Sequence, residues 1–199
     1  PSDWTDLTKD EYKGLYQLHN LGGGTAKTVF ASIISRYQDP DGDLGISDEG
    51  WEIAAKFLGN AHNIADGEDA VGSVINGTYP MDEHWASGVL TEQKDRDYKF
   101  QIMTPDIGEP YVVESLAISA GTKKYDTCVA FLNWLGSSDV QLDWSNNYGT
   151  IPCQKEALAQ VSDDIKELME TLKPQDLDWS FIAENVDAWV EKAELEYVQ

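Results

Sequence analysis

Long apolar runs, basic residues, cysteines and histidines are all scarce in this sequence, and each shortage removes a class of function. No stretch reaches the roughly 18 consecutive apolar residues of a membrane-crossing helix, so no transmembrane helix is expected. Fourteen Lys and Arg face thirty-six Asp and Glu, a formal charge of −22. A field of that sign repels nucleic acid and anionic membrane surfaces, which argues against both as partners. A small anionic ligand is not excluded, because local backbone dipoles outweigh a mean field screened over about 8–10 Å. Cations are mildly favoured. The opening Pro1-Ser2-Asp3-Trp4 lacks the charged start and apolar stretch of a secretory leader. The expectation is a cytosolic protein, or a mature or truncated chain.

Several motifs are missing as well. No G-x-S-x-G occurs, so no nucleophile elbow is expected. Ala26 stands before Lys27 where a Walker loop needs glycine, and Gly22 to Gly24 lack the spacing of a dinucleotide fingerprint. His19, His62 and His84 have no local metal-ligand spacing, and no metal or cofactor is implied. Cys128 and Cys153 lack metal spacing too. They leave two readings open: a disulfide in an exported protein, or two thiols with Cys128 buried in a helix. Asp39, Asp41 and Asp43 share the 1-3-5 spacing of a calcium loop, but Leu44 and Gly50 stand where glycine and glutamate are needed. The expectation there is a solvated turn leading to a helix capped by Ser47.

What is present is enough for a core. The chain has 199 residues, 41% of them hydrophobic, with seven Trp and nine Tyr, which suits one large or two small domains. Its most informative stretch runs from Leu15 to Tyr37. Leu15 to His19 reads as a short strand. Gly22, Gly23 and Gly24 read as a turn that side chains would resist. Thr25 reads as an N-cap, and Ala26, Val29, Phe30, Ile33 and Ile34 follow at helical spacing. Such a strand–turn–helix start offers backbone N–H groups and a positive dipole end to a polar or anionic ligand.

Further along, Trp4 to Tyr12 reads as a helical turn, and Trp51, Ile53, Ala54, Phe57 and Leu58 mark a helix. Glu68 to Ile75 reads as a helix ended by Asn76-Gly77, and Tyr79 to Trp85 as an edge segment because of Pro80. Ser87 to Arg96 reads as helical, Tyr98 to Met103 as a strand, and Gly108 to Ser119 as the most β-like run. Four helices follow, around Val129–Leu135, Val140–Trp144, Ile165–Leu172 and Phe181–Val190, the last capped by Asp178 or Ser180. The alternation up to about residue 118 argues α/β. The helices after it have no evident sheet to cover. Asp82, Glu83, His84, Trp85 and Ser87 cluster polar groups around a large aromatic, which suits the wall of a ligand pocket.

The order of WTDLTKDEYKG, GGGTAKT, GISDEGWE, INGTYPMDEHWASGVL and GEPYVVESLAISAGTKKYDTCVAFLNWLGSSDVQ resembles the later part of an extracellular solute-binding protein of an ABC importer. The resemblance is to the type 2 periplasmic-binding-protein fold, in the branch of ferric-iron and sugar-phosphate binders, and it covers nearly the whole chain. It implies an α/β lobe with a mostly helical C-terminal segment, truncated at its N-terminus. Residues 1–110 would be the second lobe. Residues 111–199 would be the hinge-crossing strand and the helices of the first lobe. It implies capture of a small solute or ion in an inter-lobe cleft, with an ABC permease as partner. The location would be extracellular or periplasmic, with a lipoprotein anchor outside this chain, and a fragment dimer is a further expectation. Carried over by position, Asn20, Gly23, Gly24, Thr25, His84, Trp85, Ser87 and Glu114 would be the ligand contacts. Ferric binders of this group use adjacent tyrosines, and here a single Tyr79 precedes Pro80, so an oxygen-rich anion suits the helix start better than iron. Two other readings are an α/β hydrolase-type enzyme using His84 or His19 as base on a phosphorylated substrate, and an acidic interaction module.

Overall fold

The computed structural model describes residues 1–198. After 3₁₀ turns at Trp4–Thr8 and Asp10–Tyr12 come β1 (Tyr16–Leu18), α1 (Gly24–Ile34), β2 (Gln38–Asp43), α2 (Asp48–Gly59), β3 (His62–Asn63), α3 (Ala70–Asn76) and β4 (Met81–Asp82). Then follow α4 (Ala86–Arg96), α5 (Tyr125–Leu135), α6 (Ser138–Tyr148), α7 (Lys155–Leu158), α8 (Asp163–Thr171) and α9 (Trp179–Glu196). The chain divides into two compact units. One contains Pro1–His84, Gln101–Pro110 and the segment from Lys173 onward; the other contains Trp85–Phe100 and Tyr111–Leu172. Within the first unit, α9 packs on α1 and α2.

The first unit is built on a parallel three-stranded sheet of order β3-β1-β4. The central strand β1 is buried along its length, as a strand covered on both faces must be. Tyr16 lies against Phe57 and donates its hydroxyl to the Phe57 carbonyl. Gln17, 2% exposed, satisfies its amide by donating Nε2 to the Ala70 carbonyl at 2.7 Å. The register sets Gln17 opposite His62 on one side and Asp82 on the other. Ala26, Val29, Phe30, Ile33 and Ile34 of α1 are all buried, as their spacing predicts. Ser47 caps α2, its hydroxyl accepting from the Gly50 amide at 3.3 Å. Gly77 ends α3 with φ +79, a left-handed position suited to glycine. Asp178 caps α9 by accepting from the Ser180 and Phe181 amides.

Several expectations fail, for identifiable reasons. The N-cap of α1 is Gly23, and Thr25 is already the second helical residue, so its hydroxyl does not cap the helix. Residues 38–43 are strand rather than simple loop, bridging back to Ile46. Tyr98–Met103 and Gly108–Ser119 form no strand; in those two runs the described residues hold a single bridge, Glu109 to Pro174. Val112 and Val113, 62% and 76% exposed, show the cause: β-branched residues favour a pleated, half-buried surface, and no neighbouring strand supplies one. Both cysteines are free, Cys128 half-buried on α5 and Cys153 exposed.

The second unit contains α4 to α8 among its described residues. Its buried apolar side chains are Ala157, Val161, Ile165 and Leu168, centred on α7 and α8.

Candidate functional site

In a parallel sheet all strands point the same way, so residues just past their carboxyl ends gather along one edge. Ligands of α/β sheets bind at that edge. His19 follows β1 directly, Asp82 ends β4, and His84 lies two residues further on the same side of the extended chain. Pairing of β1 with β4 therefore brings together residues that sequence spacing keeps apart. One ligand atom from each of His19, Asp82 and His84 lies within 4.8 Å of the others. His84 Nδ1 is 3.6 Å from Asp82 Oδ2, and the two imidazole rings are 6.2 Å apart between centroids. The Asp82 side chain is only 8% exposed. Its Oδ1, and Nε2 of His19, are buried without a hydrogen-bond partner. The histidines have no local metal-ligand spacing, and the sheet supplies the proximity that spacing lacks.

Glu83, between Asp82 and His84, is 1% exposed. Burial, with the Asp82 carboxylate beside it, pushes its carboxyl up to about 7.

The glycine turn leaves the same strand end. The Asn20 carbonyl accepts from the Gly23 amide at 2.8 Å, and Asn20 Oδ1 accepts from the Gly22 amide at 2.7 Å. The Asn20 side-chain oxygen is thus engaged in shaping the turn. None of the three glycines occupies left-handed backbone. At Gly22 and Gly23 the requirement is space, since an added Cβ would lie 3.0 and 3.2 Å from Asn20 atoms. At Gly24 nothing lies within 4 Å of such a carbon. All three glycines are exposed, and α1 begins with no side-chain cap. The first amides of a helix lack intrahelical acceptors, so this start is polar and accessible.

Of the residues expected at the site, Asn20, Gly23, Gly24, Thr25 and His84 lie in the first unit, at or just beyond the ends of β1 and β4. Trp85, Ser87 and Glu114 lie in the second. Trp85, 51% exposed, is the N-cap of α4, and the Ser87 carbonyl accepts the Thr91 hydroxyl. Glu114 is exposed on a segment without regular structure. Tyr79 stacks on His62 with ring centroids 4.2 Å apart. Sequence reasoning set His19 aside as an isolated histidine. Its position immediately after a strand, matched by Asp82 and His84 at the end of another, was the available signal.

Three solved structures share this architecture. The ferric binding protein from Campylobacter jejuni superposes with a TM-score of 0.75 at 22% identity, over 98% of this chain and 62% of that one. The apo ferric ion-binding protein A of Pasteurella haemolytica gives 0.76 at 19%, over 98% and 61%. An open conformation of the Mannheimia haemolytica ferric iron-binding protein A gives 0.74 at 17%, over 98% and 61%. These likenesses establish the fold, that of type 2 periplasmic binding proteins. The family model of bacterial extracellular solute-binding proteins matches residues 1–173, and the chain belongs to that family. It is also 34% identical over 199 residues to the probable ABC transporter periplasmic-binding protein y4fP of Sinorhizobium fredii, covering 100% of this chain and 55% of that protein. The chain thus spans little more than half the length of this curated relative.

Proposed function

We propose that this chain belongs to the substrate-binding component of an ABC importer, working outside the cytoplasmic membrane and handing a small solute to a membrane permease. It is held at the membrane by a lipoprotein anchor outside this chain. The solute is an oxygen-rich anion or a ferric-type complex, bound without turnover. The observation that carries this reading is the exposed, uncapped start of α1 beside the carboxyl ends of β1 and β4. Backbone amides and the helix dipole favour negative oxygen there. Trp85, Ser87 and Glu114 enter as contacts through family position alone.

The test uses Gly24, where open space admits a side chain. A carboxylate at the helix start mimics and repels an anionic ligand while improving the dipole balance. Gly24→Asp is expected to keep or slightly raise the melting temperature and to abolish the thermal shift given by inorganic phosphate, phosphorylated sugars or ferric citrate. A wild-type chain that none of these probes stabilises, or that hydrolyses the phosphate esters, ends the reading.

A further inference from the structure

The strand-end cluster contains chemistry that an anion-binding helix start does not use. Two imidazoles and one carboxylate converge within 4.8 Å. The Asp82 side chain is more than nine-tenths buried, yet its Oδ1 lacks a hydrogen-bond partner, as does the buried Nε2 of His19. A buried carboxylate oxygen without a donor is costly, and a cation removes that cost. Nitrogen–nitrogen–oxygen donor sets suit zinc and its neighbours rather than calcium or magnesium, which want oxygen throughout. Three protein ligands also leave a coordination position open for water or an exogenous group.

We propose that His19, Asp82 and His84 bind a divalent first-row transition-metal ion of the zinc type, taken either bare or as a complex with a small oxygen-bearing chelator. The site shares the strand-end surface read above as the solute site, and it stands on its own donor geometry. The imidazoles reach the ion from two strands, so the site exists only when β1 and β4 are paired. The overall charge of −22 raises the local concentration of cations. The uncapped start of α1, at Gly23, follows His19 by four residues and offers amides to an anionic chelator's oxygens.

Titration calorimetry of the purified chain with Zn²⁺ is expected to give one tight site, and Co²⁺ to give visible d–d bands of a low-coordinate nitrogen–oxygen site. Ca²⁺ and Mg²⁺ are expected to give neither. Asp82→Asn should weaken Zn²⁺ at least tenfold, and His19→Gln with His84→Gln at least a hundredfold, with far-UV dichroism unchanged. His62→Gln, removing the histidine that pairs with Glu68 at 2.9 Å, should leave Zn²⁺ binding intact. Tighter Zn²⁺ binding with citrate present assigns the chelate, and unchanged affinity assigns the bare ion. Zinc retained by the double variant, lost with His62→Gln, or not bound by the wild type overturns the proposal. Zinc bound through these residues, with no solute response, keeps the metal site and ends the importer reading. A solute response without zinc does the reverse.

Discussion

Trp189 and Trp134 each sit on the apolar stripe of a helix, yet Trp189 is fully enclosed while Trp134 is 55% exposed. The contrast holds for the units they belong to. Around the parallel sheet of the first unit, α1, α2 and α9 bury Phe30, Ile33, Trp51, Phe57 and Trp189 into one cluster. In the second unit α5 buries none of its side chains, and Phe131 is 52% exposed. Leu116, Ile118, Cys128, Phe131 and Leu132 line an apolar groove of about 400 Å³ there. Periodicity therefore decides that a segment is helical, whereas burial depends on whether a second layer lies against it.

The sharpest way to break this comparison is to truncate each tryptophan. Trp189→Ala removes a filled core position and the Nε1 hydrogen bond to the Leu44 carbonyl at 2.9 Å, which helps hold Leu44 at φ +51. A loss of about 3–5 kcal/mol is expected in urea unfolding, as for other buried aromatics. A loss under about 1 kcal/mol would show that this cluster tolerates a void and that burial here is not decisive.

A subtler effect comes from Glu109, whose Oε2 accepts from Trp4 Nε1 at 2.9 Å inside the first unit. Burial pushes its carboxyl up to about 7, partly offset by the Trp4 hydrogen bond and Arg36. Between the ordinary carboxylate range and 7 the folded chain holds a proton that the unfolded chain releases. This group's contribution to stability therefore falls as pH rises through that window. Glu109→Gln keeps an oxygen for Trp4 and removes the titration. The variant should gain in melting temperature relative to wild type at pH 8 and match it near pH 5. Parallel pH profiles would mean that Glu109 titrates normally.

The smallest change should come from Trp134→Ser in the second unit, within about 0.5 kcal/mol of wild type, as at other exposed positions. A cost rivalling Trp189→Ala would erase the distinction between the units.

The same distinction explains what was legible in the sequence. The buried stripe of α1, the Ser47 and Asp178 caps and the Gly77 stop depend on residues a few positions apart, and all are found where pattern places them. Tyr98–Met103 and Gly108–Ser119 have strand-like composition, but a strand is defined by a partner, and composition does not say whether one is present. Thr25 is a reasonable cap by type; the helix starts two residues earlier because Gly23, with φ −75 and ψ 145, already turns the chain. His19 and Asp82 stand 63 positions apart. Only the β1–β4 register makes them neighbours, and no local rule reports a register.

The first unit is discontinuous in sequence, and its main cluster is completed by Ile182, Trp189, Val190 and Ala193 of α9. A chain emerging from the ribosome displays the bare flanks of α1 and α2 for more than a hundred residues before that final helix arrives to latch them. The first unit of the nascent polypeptide therefore stays open until α9 has been made, the state in which holdase chaperones can engage it.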